Sequence, residues 1–206
     1  MLRGSTERLP LSSEDSSLAE RIFRESVVWK KYLDHLISLY CTTPLEKLDE
    51  DVLLSLRIGA VQLSKMRIPS HAAVSATVEA HSRRKTRGLV NAVLRKISVH
   101  EDTGDLPLHI EYSHPRNLVD KWTRTMGAEA AGRLLRWNNS VPELGGYAFS
   151  RFPGDSSPGR YLENYRRIPR RGRVKPPSGF YIQDESAAIV ARGMRELPGE
   201  KVLEIG

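Results

Sequence analysis

From Leu18 to Ile97, apolar residues return at the spacing of a helix face, which confines the first half of the chain to an all-helical fold. In the first segment Ile22, Trp29, Leu33, Leu36, Ile37 and Tyr40 share one stripe. Arg21, Arg24, Lys30 and Lys31 lie mostly off it, so the spacing predicts a helix over 18–40. "CTTP" is a break. Asp49 is placed to cap a second helix, in which Val52, Leu56, Ala60 and Leu63 share a face. Gly59 inside that helix costs about 1 kcal/mol against alanine, which predicts close packing by a neighbour. Pro69-Ser70 opens a third helix with a small-residue stripe of Ala73, Ala76, Thr77 and Ala80. After the basic turn "RRKTRG", a fourth carries Leu89, Val90, Val93, Leu94 and Ile97. Residues 1–17 are polar, Ser-rich and aperiodic, which predicts a disordered tail.

The texture then changes in steps. "HEDTGDLP" is a plausible linker, and Ser113 is placed to cap a helix containing Leu118, Val119, Trp122 and Met126 that stops at Gly127. A further helix with Ala131, Leu134 and Leu135 ends near "NN". From Pro142 onward "GYAFSRF" has strand-like residues, and glycine and proline become frequent. "RRIPRRGRVKPPSG" reads as irregular, and "DESAAIVARGMREL" as a helix capped by Asp184. In "PGEKVLEIG" a turn leads into a short buried strand, Lys201 to Ile205. No internal repeat is visible.

With 32 Lys+Arg against 25 Asp+Glu, the chain carries a net charge of +7. That excess suits a polyanionic partner, nucleic acid first and an anionic membrane surface second, with plain solubility charge as the ordinary alternative. A single cysteine, Cys41, excludes a disulfide framework within the chain and fits a reducing cytoplasm. No apolar run approaches the ~20 residues of a membrane helix, and the N-terminus lacks the apolar stretch of a signal peptide. A cytoplasmic location with no membrane association is therefore expected. The densest nucleic-acid signal is the cluster Arg166, Arg167, Arg170, Arg171, Arg173 and Lys175. Alternation with proline and glycine lets its charges spread along a phosphate backbone. Tyr161, Tyr165, Phe180 and Tyr181 flank it and could stack on unpaired bases. Arg83, Arg84, Lys85 and Arg87 form a second patch. Either patch could equally be a solvated surface. Cys41 has no obvious base beside it, and His71 has no metal-ligand partner at a useful spacing. His114, before Pro115, reads as a helix-start residue.

Three blocks, in order, carry a resemblance. "VVWKKYLDHLI" with "IGAVQL…RIPSHAAV…GLVNAVLRK" is similar to the NusB-like domain of bacterial ribosomal RNA cytosine-5 methyltransferases of the Sun/Fmu group. "SHPRNLVDKWTRTMGAEAAGRLLRWNN" resembles their connector, and "GFYIQDESAAIVARGMRELPGEKVLEIG" the entry to their methyltransferase domain. The resemblance implies a multidomain protein. A NusB-like helical RNA-binding domain over 18–100 would be followed by a helical connector with a small α+β RNA-binding part over 101–177. Residues 178–206 would then be the first helix and strand of a truncated Rossmann-like domain. It implies ribosomal RNA as partner and S-adenosylmethionine as cofactor of the intact protein, with Glu204 and Gly206 ordering the cofactor loop and Gln183 and Asp184 near the active-site cleft.

In that family a thiolate adds to carbon 6 of cytosine, which makes carbon 5 able to take the methyl group. The residues doing so lie beyond the point matching Gly206, so the chain is expected to hold no catalytic residue. Two departures stand out. The family has two further helices before the segment matching Leu18, and without them an open apolar groove would suit a protein partner. Glu25 and Val28 also stand where the family has Gly and Arg. The alternative from another class is a NusB-like RNA-binding or antitermination protein without enzymatic activity.

Overall fold

The computed structural model describes residues 12–101, 104, 106–148, 156–168 and 180–193. The chain divides into two compact units, Met1–Asn139 and Ser140–Gly206.

The first unit is helical: α1 (Ser13–Val28), α2 (Lys30–Tyr40), α3 (Glu50–Ser64), α4 (Ser70–Ala80), α5 (Arg87–Ile97), a short α6 (Leu108–Glu111), α7 (Arg116–Met126) and α8 (Ala128–Asn138). The helical period does what it predicts. Leu33, Leu36 and Ile37 of α2 meet Val52, Leu56, Ala60 and Val61 of α3 and Val90, Val93, Leu94 and Ile97 of α5 in one core. Central α3 packs against α1, α2, α4 and α5. A Cβ on Gly59 would run into the Leu94 side chain, so the expected close packing is the α3–α5 contact. Asp34 and Arg57 join α2 to α3 with paired bonds of 2.6 and 2.9 Å, the two-pronged geometry that a guanidinium forms with a carboxylate.

Three local details differ from expectation. First, the opening helix starts at Ser13, inside the stretch expected as tail, because the Ser12 hydroxyl accepts the Asp15 amide at 3.0 Å and caps it. Second, the helix expected over 18–40 is broken at Trp29. The Trp29 indole donates to Glu25 at 3.0 Å, its ring stands edge-on to Tyr32, and the Lys65 ammonium lies 4.1 Å from its centroid. Those ties fix a residue that ends α1 and lets α2 turn its own stripe into the core. Third, Ser113 does not cap the helix that follows it. Its φ is 58°, Pro115 holds the N-cap of α7, and the Ser113 hydroxyl accepts the Lys31 amide at 2.8 Å. It therefore caps α2 from 82 residues away. The connector helices α6–α8 belong to the first unit, with Tyr112, Val119 and Leu135 as a second small cluster.

α1 contributes no buried residue, and Leu18, Phe23 and Val27 on it remain 45%, 66% and 61% exposed. No helix among the described residues is long and apolar enough to cross a membrane.

Among its described residues the second unit holds a four-stranded antiparallel sheet of order β2-β3-β1-β4: β1 (Leu144–Ala148), β2 (Ser157–Pro158), β3 (Tyr165–Ile168) and β4 (Phe180–Ile182), followed by α9 (Glu185–Gly193). The register sets Tyr147 opposite both Tyr165 and Tyr181, and Gly146 opposite both Arg166 and Ile182. Phe180–Ile182 is thus a strand of this small sheet. The expected terminal strand, Lys201 to Ile205, lies outside the described residues.

Candidate nucleic-acid interface

The two basic patches fare differently at the level of individual side chains. In the first unit, Arg83 is held by two carboxylates at the start of α3, Asp49 at 2.7 Å and Asp51 at 2.8 Å. Arg87 donates to the backbone carbonyls of His81 and Glu79, both at 3.0 Å. These satisfy orphan acceptors at the end of α4. Arg84 and Lys85 stand exposed on the intervening 3-10 turn, Arg84–Thr86, and Arg83 keeps 57% of its side chain in solvent despite its two ion pairs. Beneath the turn sits a group that sequence reasoning passed over. His81, 2% exposed, places Nδ1 2.8 Å from the Ser55 hydroxyl and Nε2 2.7 Å from that of Thr86. It ties the basic turn to α3.

In the second unit Arg166 and Arg167 are neighbours on β3, so their side chains leave opposite faces of the sheet. Arg167 donates to the Pro158 carbonyl at 3.1 Å and pairs with Glu143 at 3.4 Å. Arg170, Arg171, Arg173 and Lys175 lie outside the described residues, as do Glu204 and Gly206. Of the flanking aromatics, Tyr161 is 71% exposed and Tyr181 55%, whereas Tyr165 and Phe180 are buried. The Tyr165 hydroxyl donates to the Gln183 carbonyl at 2.8 Å. Burial, together with the carboxylates of Asp184, Glu185 and Glu143, pushes this phenol above its usual range.

The junction between β4 and α9 carries an organised polar site. The Gln183 amide donates to the Gly145 carbonyl at 3.1 Å, prolonging the β1–β4 pairing. Asp184 caps α9: its carboxylate accepts the Ser186 amide at 2.8 Å and the Ser186 hydroxyl. Those two bonds hold its carboxyl below the usual range. Glu185 was not anticipated. Its carboxylate accepts three successive backbone N–H groups, those of Arg160, Tyr161 and Leu162, at 3.0, 2.7 and 3.0 Å. Burial alone would raise its pKa, but those three bonds and the nearby Arg167 outweigh it and leave the carboxyl lowered. The sequence offered only an acidic residue in the first turn of a helix, where such residues are ordinary.

The sign of the pH response follows. A carboxyl whose folded pKa is depressed stabilises fully above its unfolded pKa, and that stabilisation disappears as pH falls through the folded value. The unfolded references here are 3.8 for Asp184 and 4.5 for Glu185. On acidification from about pH 5 the loop at residues 160–162 and the start of α9 should therefore loosen together. Amide exchange at Tyr161 and Leu162 reads this directly, and Glu185→Gln should flatten the response.

His71, Cys41 and His114 take part in no common arrangement. His71 is exposed on α4, Cys41 is buried at the end of α2, and His114 Nδ1 lies 2.6 Å from the Tyr112 carbonyl. No cluster of three or more potential metal ligands occurs among the described residues.

Comparison with known proteins gives a family for the helical part of the chain. Residues 2–99 match the NusB family. The ribosomal RNA small subunit methyltransferase B of Pseudomonas putida is 34% identical over 221 residues, covering 94% of this chain and 50% of the relative. The protein of the same name from Pseudomonas syringae pv. tomato is 26% identical, covering 92% of this chain and 48% of the relative. That of Sodalis glossinidius is 34% identical over 142 residues, covering 66% of this chain and 32% of the relative. The chain spans about half the length of the two Pseudomonas relatives. No solved structure matches. Residues 2–99 thus match the NusB family, and nearly the whole chain is similar to about half of proteins named ribosomal RNA small subunit methyltransferase B.

Proposed function

We propose that this chain is the RNA-engaging N-terminal part of an S-adenosylmethionine-dependent methyltransferase that modifies carbon 5 of a cytosine in small-subunit ribosomal RNA. The single observation that carries this reading is the 34% identity to the Pseudomonas putida enzyme along 94% of the chain, which runs past the NusB domain into the second unit. A stand-alone NusB-like antitermination protein would account for residues 2–99 only. The exposed cations Arg84 and Lys85, the β3 arginines and the exposed Tyr161 and Tyr181 supply the elements RNA needs: phosphate attraction and stacking surfaces. In the full protein Glu204 and Gly206 would begin the cofactor loop, and the thiolate chemistry would come from residues after it. Phe23 and Val27, exposed one turn apart on α1, are the place where a protein partner would dock.

The test is methyl transfer by the full reading frame that contains this chain. With labelled S-adenosylmethionine and unmodified small-subunit ribosomal RNA, label should enter one cytosine at carbon 5, and this chain alone should transfer none. Label on a ribose, on a purine, or on protein would overturn the reading.

A further inference from the structure

We propose that the loop at residues 160–162 is a phosphate site for unpaired RNA, held shut by the Glu185 carboxylate until RNA displaces it. The proposal rests on the RNA reading above and adds a location and a gate to it. Successive backbone N–H groups can form a concavity for anions, and here three of them hold a carboxylate from the chain itself, Tyr161 and Leu162 on Oε1 and Arg160 on Oε2. The fit is close: a Cβ on Gly159 would stand 2.5 Å from the Glu185 carboxylate and 2.9 Å from the Tyr165 ring. The site lies at the surface, since Arg160 and Tyr161 are exposed and Glu185 is half-buried.

Its surroundings are built for more than a carboxylate. Arg167 is near enough to lower the proton affinity of Glu185, and Arg160, whose backbone N–H enters the concavity, carries an exposed side chain. Tyr161 contributes an N–H to the concavity and presents a ring that is 71% exposed. One residue thus offers a phosphate donor and a stacking platform together, the pairing that single-stranded nucleic acid uses. A phosphodiester entering the concavity would keep the three N–H bonds, recruit the guanidinium of Arg160 and free Glu185. A purely structural role for Glu185 would explain the three bonds but gives Tyr161 and Arg160 nothing to do.

The two roles separate by experiment on the whole chain. The probes are a labelled single-stranded oligocytidylate of about ten nucleotides, within the span of such sites, and inorganic phosphate. Removing the competing carboxylate with Glu185→Ala should tighten RNA binding several-fold. Inorganic phosphate should raise the melting temperature of that variant and leave the parent unchanged. Tyr161→Ala should weaken RNA binding about fivefold or more, the low end of one base–aromatic stack. If Glu185→Ala fails to fold, Glu185→Gln decides, because its amide oxygen still accepts the N–H groups without the charge; it too should tighten binding. Should the parent bind RNA while Glu185→Gln and Tyr161→Ala leave affinity unchanged, the loop is no RNA site although the broader reading survives. A parent that binds no RNA overturns both. Tighter binding without phosphate stabilisation would place the effect in overall charge and overturn the concavity as the site.

Discussion

Leu94→Ala should cost the helical unit about 2–5 kcal/mol, the range for truncating a fully buried leucine. Leu94 has no exposed surface and lies where α5 meets Gly59 of α3. Its Cδ2 would be 2.6 Å from a Cβ on residue 59, so these two positions share one volume. Gly59→Val in the parent should therefore be destabilising as well, by about 1–3 kcal/mol of overpacking, despite valine's better helix propensity. Placed together, the two changes should partly cancel, because the valine methyls enter the space that Leu94→Ala vacates. A coupling of about 0.5–3 kcal/mol is expected for residues in contact. Urea unfolding followed through tryptophan fluorescence gives all four corners of this cycle. Strict additivity would show that α3 and α5 do not approach as described.

Gly146→Ala should release β4 from the sheet. A Cβ at residue 146 would meet the backbone carbonyl of Tyr181 and stand 2.9 Å from the Phe180 ring. A flexible side chain could move aside, but a strand carbonyl can shift only by giving up its pairing. Overpacking costs of about 1–3 kcal/mol are typical, and a unit this small has little stability to lose. Amide protection should therefore vanish at Tyr181, Ile182 and Gln183. Protection in α3 and α5 should stay as in the parent. Retained protection at Gln183, whose amide donates to Gly145 at 3.1 Å, would contradict this packing.

How far the sequence reveals this molecule depends on the range of each contact. The stripes of α3 and α5 were legible because burial there repeats with the helix itself: Val52, Leu56, Ala60, Val90, Val93, Leu94 and Ile97 are all in the core. Gly59 was legible too, since a costly residue in a helix points to a close neighbour. The break at Trp29 was not, because the indole bond to Glu25 and the Lys65 ammonium over the ring leave the apolar period intact across the joint. Ser113 shows the same limit more sharply. Its type and position suit a local N-cap, yet its partner is 82 residues away. At the candidate interface, a run of arginines is read from sequence as one charged surface. Folding sorts it: Arg83 pairs with Asp49 and Asp51 while staying exposed, Arg87 goes to the end of α4, and Arg84 and Lys85 go to solvent. Glu185 was invisible because its partners are backbone amides, which no residue type announces.

The proposed engagement of ribosomal RNA through phosphate contacts would show itself in the salt dependence of binding. Titrating the chain with a small-subunit ribosomal RNA fragment at several salt concentrations should give log K falling linearly with log salt. The slope should be about −0.7 per phosphate contact on single-stranded segments, so several contacts give a steep line. Arg84→Gln with Lys85→Gln should make it shallower without altering the fold, since both side chains are exposed. Binding whose affinity does not change with salt, or no binding at all at low salt, would rule out phosphate-mediated engagement of RNA by this chain.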